Sequence, residues 1–527
     1  MAAHRKGNPM KYRLISLGIT LLLSLVACFT TLDAGEPPKR APQLVIAQLG
    51  NPTALDGWNW AATSEQDILG HIQETLVEYD RQAKLHPLLA ERLEMKTPAE
   101  WIVTIRKGVK FHDPALGELT AEDVKASIEA NLRKGTAMSL RVPAPMREGT
   151  LEVIDAHTLR WKLKEPGLVT LPQWLVDEYI TSKKYLEREG YDGAARRPVG
   201  TGPYKFVEWS PNQRVVMEVF EGYWRPLPAF DRLIWRIIPD PSTRKNEFLT
   251  GGIDVLPFVT PEIVPEIQAN PKLRLETTLS TRMMFIVLPV ANPLLTDKRV
   301  RLALNLAVNK GEIIEQLFRG IGAAELTAPL PLTVAERNPK LEGYPYDPAK
   351  AEQLLKEAGA IGKTLTLEAP YNRYTLDREI GEAIAGYWEA VGLRVEYKPQ
   401  DFAVFSPRVL RGSPEWPTNP FLIGFGDGRY LADYMYTLWI EKKPGGSRGA
   451  VYTQGPDRWD EWMREISLLG LQEPRRLELL YKLQEEIMDF VPWVLVLNYK
   501  DIYGLSSKVD WKPFPNENRK MYDAKPR

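Results

Sequence analysis

The only cysteine in the 527-residue chain is Cys28, and it directly follows an uncharged run from Leu14 to Ala27. The roughly 500 residues after it must therefore fold with no intrachain disulfide and no Cys-cluster metal site. Apolar residues make up 44% of the chain, enough to bury the several cores that such a length implies. Ahead of the run, Arg5, Lys6, Lys11 and Arg13 form a basic stretch without acids. A basic segment followed by about 14 apolar or small residues is the pattern of a secretory signal, too short to span a bilayer. No later stretch is long and apolar enough to span one. Basic and acidic residues number 68 each, and loss of the signal leaves 64 against 68, so no nucleic-acid partner is expected. The 15 Trp and 21 Tyr suit a protein that grips ligands with flat rings, ordinary packing being the alternative.

Along the body, Gln43 to Gln48 reads as a buried strand and Ser64 to Tyr79 as a helix, with Ile68, Ile72 and Leu76 on one face. Trp101 to Arg106 is a strand. Thr120-Ala-Glu-Asp123 caps a helix carrying Val124, Ile128 and Leu132. Strands are expected at 159–163, 204–209, 215–219 and 233–238. The second half becomes helical at 296–308 and at 312–318, the latter stopped by Gly320. Asp347-Pro348 opens a helix that Gly359 closes. Lys363 to Glu368, Asp377 to Val391 and Leu393 to Lys398 read as strand, helix, strand, a unit that requires a partly parallel sheet. Helices at 457–469 and 473–490 precede a strand at 493–499. Long Pro- and Gly-rich loops surround 197–203, 328–346 and 411–430.

Catalytic chemistry has little material. The five His are His4, His71, His86, His112 and His157, with no pair at metal-ligand spacing. Gly-x-Ser-x-Gly and His-Glu-x-x-His are both absent. Gly200-Thr-Gly202-Pro-Tyr204 lacks the Lys-Ser/Thr ending of a phosphate loop and leads into a strand, so no helix N-terminus faces an anion. A glycosidase-like carboxylate pair stays open, since Asp and Glu are abundant. No catalytic residue, metal or cofactor is assigned.

Several segments in order resemble the large extracellular solute-binding proteins of the peptide/nickel type, the receptors of ATP-driven importers. They are Gln73 to Asp80 with His86 to Glu91, then Trp101 to Asp113 with Leu119 to Val124. Pro198 to Tyr204 with Asn212 to Trp224, Asp297 to Asn305 and Tyr346 to Leu355 follow. In addition, Leu25-Val26-Ala27-Cys28 resembles the lipobox of bacterial lipoproteins, which implies lipidation at Cys28 and a membrane anchor. Plain secretion is the alternative. His112 and Asp113 are read as turn residues, and Gly200 to Tyr204 as a tight crossover between lobes.

The resemblance implies an α/β, two-lobed periplasmic-binding-protein-like fold with an extra inserted domain, three domains in all, with mixed sheets. After a signal at 1–28 and a linker at 29–41, lobe I comprises 42–80, 196–284 and 491–527. The inserted domain is 81–195 and lobe II 285–490, with crossings near Thr281–Leu288 and Val491–Asn498. The function implied is capture of a small solute, most simply an oligopeptide or dipeptide, in an interlobe cleft for delivery to a membrane permease. An oligosaccharide or other small solute is the alternative, and an exported hydrolase a third reading. The protein is expected to be a monomer in the periplasm or on the outer face of the cell membrane.

For ligand contacts, the resemblance points to Asp427 as the reader of a peptide amine, with Asp433 second. Trp58 and Trp60 fall where the family places a cleft-lining loop. Arg429 would meet a carboxylate or phosphate, a solvated loop Arg being the alternative. The chain departs from the peptide binders at Gly-Phe and Tyr-Leu near 424–431, and at Pro289 or Val290, where many carry Asn. The absence of His after 157 weakens direct nickel binding.

Overall fold

The computed structural model describes residues 40–59, 63–136, 138–140, 142–371, 373–402, 404–406, 418–426, 428–440 and 454–527. Cys28, Trp60 and Asp427 lie outside them.

Two strands longer than any others described organise the body. Leu273–Val287 and Trp493–Ser506 pair antiparallel over most of their length, at the centre of an eleven-stranded sheet. Their ladder loses register between Leu279 and Met283. On one side of that break the sheet continues through Val255–Leu256, Leu44–Gln48, Arg232–Ile237, Arg214–Val219 and Tyr204–Ser210. On the other it continues through Phe421–Phe425, Thr364–Tyr371 and Arg394–Asp401. The sheet is mixed, as the strand–helix–strand pattern requires. Thr364–Tyr371 runs parallel to Arg394–Asp401 across the helix Asp377–Ala390, and Leu44–Gln48 runs parallel to Arg232–Ile237. Leu44–Gln48 is nearly all buried because it has neighbours on both edges and cover on both faces.

The break is stitched by one side chain. Asn498 is fully buried, and its Nδ2 donates to the carbonyls of Ser280 (2.8 Å), Arg282 (3.1 Å) and Tyr499 (3.1 Å). Its Oδ1 accepts from Leu332 N at 2.6 Å. Ladder groups freed by the lost register thus remain paired.

A separate four-stranded antiparallel sheet, ordered Ala90–Thr97, Glu100–Ile105, Thr158–Lys162, Thr150–Asp155, packs one face on the helix Ala121–Leu132. Glu100–Ile105 alternates buried and half-buried residues, as one-sided burial demands. Asp123 accepts from Thr120 N (2.9 Å) and Thr120 Oγ1 (2.7 Å), which starts the helix where the sequence places it.

Differences from the sequence reading have tertiary causes. The helix expected over 64–79 stops at Ile72. Beyond it Thr75 bridges Tyr179, Ile180 N donates to Glu74 O, and Val77–Tyr79 pairs with Leu85–Pro87, so long-range pairing overrides the i,i+4 pattern. The strand expected to end at 499 runs to Ser506. His112 and Asp113 occupy a turn. Asp113 caps the short helix Pro114–Leu116 and pairs with Arg188, while His112 Nε2 donates to Gly202 O at 2.9 Å. Gly200 and Gly202 are required by close approach, since a Cβ would lie 2.2 Å from Ile72 O and 2.5 Å from His71 O.

Replacing Asn498 with Leu, of similar size, removes every one of these bonds. Each buried group left unpaired costs about 1–3 kcal/mol. Urea denaturation is expected to show a loss of about 2–5 kcal/mol, concentrated in the central strands by hydrogen exchange.

Candidate functional site

A cavity of about 340 Å³ lies directly over the register break. One wall is the end of the helix Thr63–Ile72 and the chain after it, with Tyr223 and residues 516–522. The chain that follows the small four-stranded sheet adds Val176, Asp177 and Tyr179. The break itself contributes Thr281 and Arg282, and the opposite half contributes Phe425 at the end of the strand Phe421–Phe425, Gly426, Gly428 and Arg429 after it, and Tyr434. Both halves of the main sheet thus contribute to one chamber.

Its charges are largely matched. Arg282 lies 2.9 Å from Glu517, which raises the guanidinium pKa further. Glu78 is held by Lys520 and Arg225, each at 2.7 Å, and these cations keep its carboxyl below the usual range although burial opposes them. Glu74 faces neutral donors, Thr201 Oγ1 at 2.8 Å, Tyr223 OH at 2.9 Å and Trp224 Nε1 at 3.0 Å. Burial raises it to about 7 despite those three bonds. Behind Glu517, burial and the neighbouring carboxylate push Asp501 to about 8. Glu517 itself adopts a left-handed backbone (φ 63°), a costly conformation for a side-chain-bearing residue, which places its carboxylate between Ser280 and Arg282.

Two buried elements keep the wall in place. Asp67 accepts from Arg519 N at 2.9 Å and Nε at 2.8 Å, and both side chains are essentially inaccessible. His71 Nδ1 donates to Asp67 O at 2.6 Å and Nε2 accepts from Met521 N at 2.8 Å. Burial holds this imidazole neutral, at about 3, so it acts as a clamp between helix and C-terminal segment.

Of the residues singled out from sequence, Arg429 stands on the cavity wall. Its guanidinium lies 3.7 Å from the Trp174 ring centre and 4.6 Å from that of Tyr434, with Asp177 at 3.9 Å. Its carbonyl accepts from Tyr79 OH at 2.5 Å, a bond that joins the two halves. Asp433 does not line the cavity, because its carboxylate faces the buried Arg476 at 3.4 Å, which also holds Glu336 at 3.0 Å. Trp58 is also off the wall, only 3% exposed, with its ring edge-on to Tyr191 at 5.4 Å. Asp427 and Trp60 lie outside the described residues, although Gly426 and Gly428 on either side of Asp427 line the cavity. Glu74, Asp177, Arg282 and Glu517 were not foreseen as site residues. Glu74 sits in a segment that carried the family resemblance, whereas nothing local marks the other three. Among the described residues no cluster of His, Cys, Asp or Glu could hold a metal ion.

Comparison with known proteins gives a consistent result. The family model of the bacterial extracellular solute-binding proteins, family 5 middle region, matches residues 84–439. The chain is 27% identical over 494 residues to heme-binding protein A of Haemophilus influenzae, covering 88% of this chain and 87% of that one. It is 28% identical over 506 residues to the glutathione-binding protein GsiB of Escherichia coli, covering 94% and 93%. Among solved structures, HbpA2 from Haemophilus parasuis superposes with a TM-score of 0.81 at 21% identity, covering 92% of this chain and all of that one. DppA from Helicobacter pylori in complex with the peptide STSA gives 0.73 at 22%, covering 93% and 98%. These likenesses establish the two-lobed fold.

Behind the wall, the buried Glu178–Asn131 pair makes stability depend on pH. Asn131 Nδ2 donates to Glu178 Oε2 at 2.5 Å, while Glu178 Oε1 and Asn131 Oδ1 have no hydrogen-bond partner among the described residues. Burial raises the Glu178 carboxyl from 4.5 to about 8. Between those values the folded state binds the extra proton, so this group's contribution to stability falls as pH rises. Glu178→Gln supplies a permanent donor. It is expected to match wild type near pH 5 and to gain up to about 1.4 kcal/mol per pH unit towards pH 8 in urea titrations.

Proposed function

The chain belongs to the bacterial extracellular solute-binding proteins of family 5, and from that premise we propose that it captures a short peptide or peptide-like acid for an ATP-driven importer. The observation that supports this reading is the cavity, whose walls come from both halves of the main sheet and carry matched cations and anions. A solute there touches both halves only when they are together, so it stabilises the closed arrangement by its differential affinity. Relatives whose names state glutathione or peptide ligands favour this solute class over an oligosaccharide.

In this reading Arg429 meets a solute carboxylate, with Trp174 and Tyr434 holding the guanidinium flat. Asp427, in the same loop, remains the proposed partner of a solute amine. Lobe I is taken as 42–80, 196–284 and 491–527, the inserted domain as 81–195 and lobe II as 285–490. Bending would concentrate at residues 280–282 and 498–500, where the central ladder is already broken. The cargo leaves chemically unchanged, to a membrane permease. The body works as a monomer outside the cytoplasmic membrane, tethered through a lipid on Cys28. Among the described residues no helix is long and apolar enough to cross a membrane.

Mass spectrometry of solute released from natively purified protein tests the assignment. A small peptide or peptide-like acid is the expected find, and a neutral sugar would replace the reading. Tripeptides and glutathione should raise the melting temperature saturably and be recovered intact; their hydrolysis would refute the receptor role. Arg429→Ala should weaken an acidic probe about 10- to 100-fold by calorimetry, the value of one charge-assisted hydrogen bond, and leave a neutral sugar's binding unchanged.

A further inference from the structure

Beside the central cavity lies a second chamber of about 190 Å³, and its lining differs in kind. Its floor is the buried Ile423, Gly424 and Trp439, and rings stand around it. Phe425 meets Trp439 edge-on at 6.2 Å, and Tyr374 meets Phe402 at 6.1 Å. Gly424 lets the Tyr374 ring lie directly on the strand, since a Cβ there would come within 2.6 Å of it. Tyr374 OH donates to Gly424 O at 2.8 Å, which fixes the ring in place.

The charge of this chamber has one sign. Arg282 and Arg373 line it, and no acidic side chain does among the described residues. Asp377 nearby is occupied with the backbone amides of Arg373 and Tyr374, at 3.0 and 2.9 Å. The Arg373 guanidinium stands 5.5 Å from the Tyr374 ring centre and 5.3 Å from that of Phe402. Glu517 meets Arg282 from the central side, whereas Arg373 forms no ion pair among the described residues. Arg282, Phe425 and Gly426 line both chambers, so a group on a solute in the central cavity reaches the second by passing Arg282. An apolar cavity of about 150 Å³ holds one benzene molecule. This chamber therefore has room for one ring with a short substituent.

We infer that this chamber is a side-group subsite that takes one flat ring, neutral or bearing an acid, and rejects a cationic group, with Arg373 as its specificity-determining residue. The inference rests on the central cavity being the solute cavity. A ring replaces water among four aromatic rings, while an ammonium would be brought beside two guanidiniums with no acidic side chain among the described lining residues to receive it.

Phenylacetate and benzylamine present the same ring with opposite charge, and each is titrated into the purified full chain by ligand-detected NMR. Phenylacetate is expected to bind at least about tenfold more tightly. Arg373→Gln, at an exposed position, should bring the two within about threefold. Leu438→Trp, on the chamber rim, should abolish phenylacetate binding. Equal affinities in wild type, no binding of either probe, or phenylacetate binding unchanged in Leu438→Trp would each overturn the subsite. A tripeptide that raises the melting temperature of Leu438→Trp as it does that of wild type shows that the variant is folded. It also keeps the receptor reading standing whatever the ring probes do.

Discussion

Where Leu273–Val287 and Trp493–Ser506 fall out of register, a carboxamide replaces a stretch of β-ladder, and the rest of the molecule depends on that substitution. A sheet continued without interruption through this point would leave no cleft, because its two halves would share one twist and one plane. An unrepaired break would leave several buried backbone groups without partners, each at a cost comparable to a lost hydrogen bond. Asn498 satisfies them from a single side chain with donor and acceptor ends. The two halves are thus joined by continuous chain and yet not locked into one slab.

The cleft over the break is polar, and its charges are arranged so that few stand alone. Arg282 faces Glu517, Lys520 and Arg225 face Glu78, and Arg429 faces Asp177 between two aromatic rings. Taking such groups out of water without partners would cost several kcal/mol apiece. Pairing keeps the site soluble and folded when it is empty of cargo, and it also makes the site selective. A solute must offer groups at least as good as the ones it displaces, so shape and charge pattern are read together. Arg282 has a special position here, since it belongs to the broken segment and to the wall of both chambers.

Much of the architecture was legible residue by residue. Asp347 caps the helix Pro348–Glu357 as its Asp-Pro opening requires, accepting from Lys350 N at 2.9 Å. The strand–helix–strand pattern from Thr364 to Asp401 forms its parallel pair in register. Other elements left no local trace. Ala90–Thr97 and Thr150–Asp155 carry only short apolar alternations, Leu93 with Met95 and Leu151 with Val153, and pairing with Glu100–Ile105 and Thr158–Lys162 completes them as strands. Local pattern hides the end of the helix at Ile72 because Leu76 continues the apolar stripe, while the bridge from Thr75 to Tyr179 is invisible from either segment alone. Within the site, Arg429 was visible as an unusual residue in a Gly-rich loop. Asp433, similar on paper, is taken up by Arg476.

By itself the sequence determined where many elements begin, which faces they bury, that the Gly-x-Ser-x-Gly and His-Glu-x-x-His motifs are missing, and which family the order of segments resembles. Those properties are carried by neighbours within a few residues, through caps, periodicity and turn chemistry. Only the tertiary structure decided which carboxylates and guanidiniums meet. Glu74 and Thr201 are 127 positions apart, and Arg282 and Glu517 are 235 apart. Their contact depends on how two half-sheets and the separate four-stranded sheet come to rest against one another. Coulombic and hydrogen-bonding energies depend on distances in space, which local patterning does not encode.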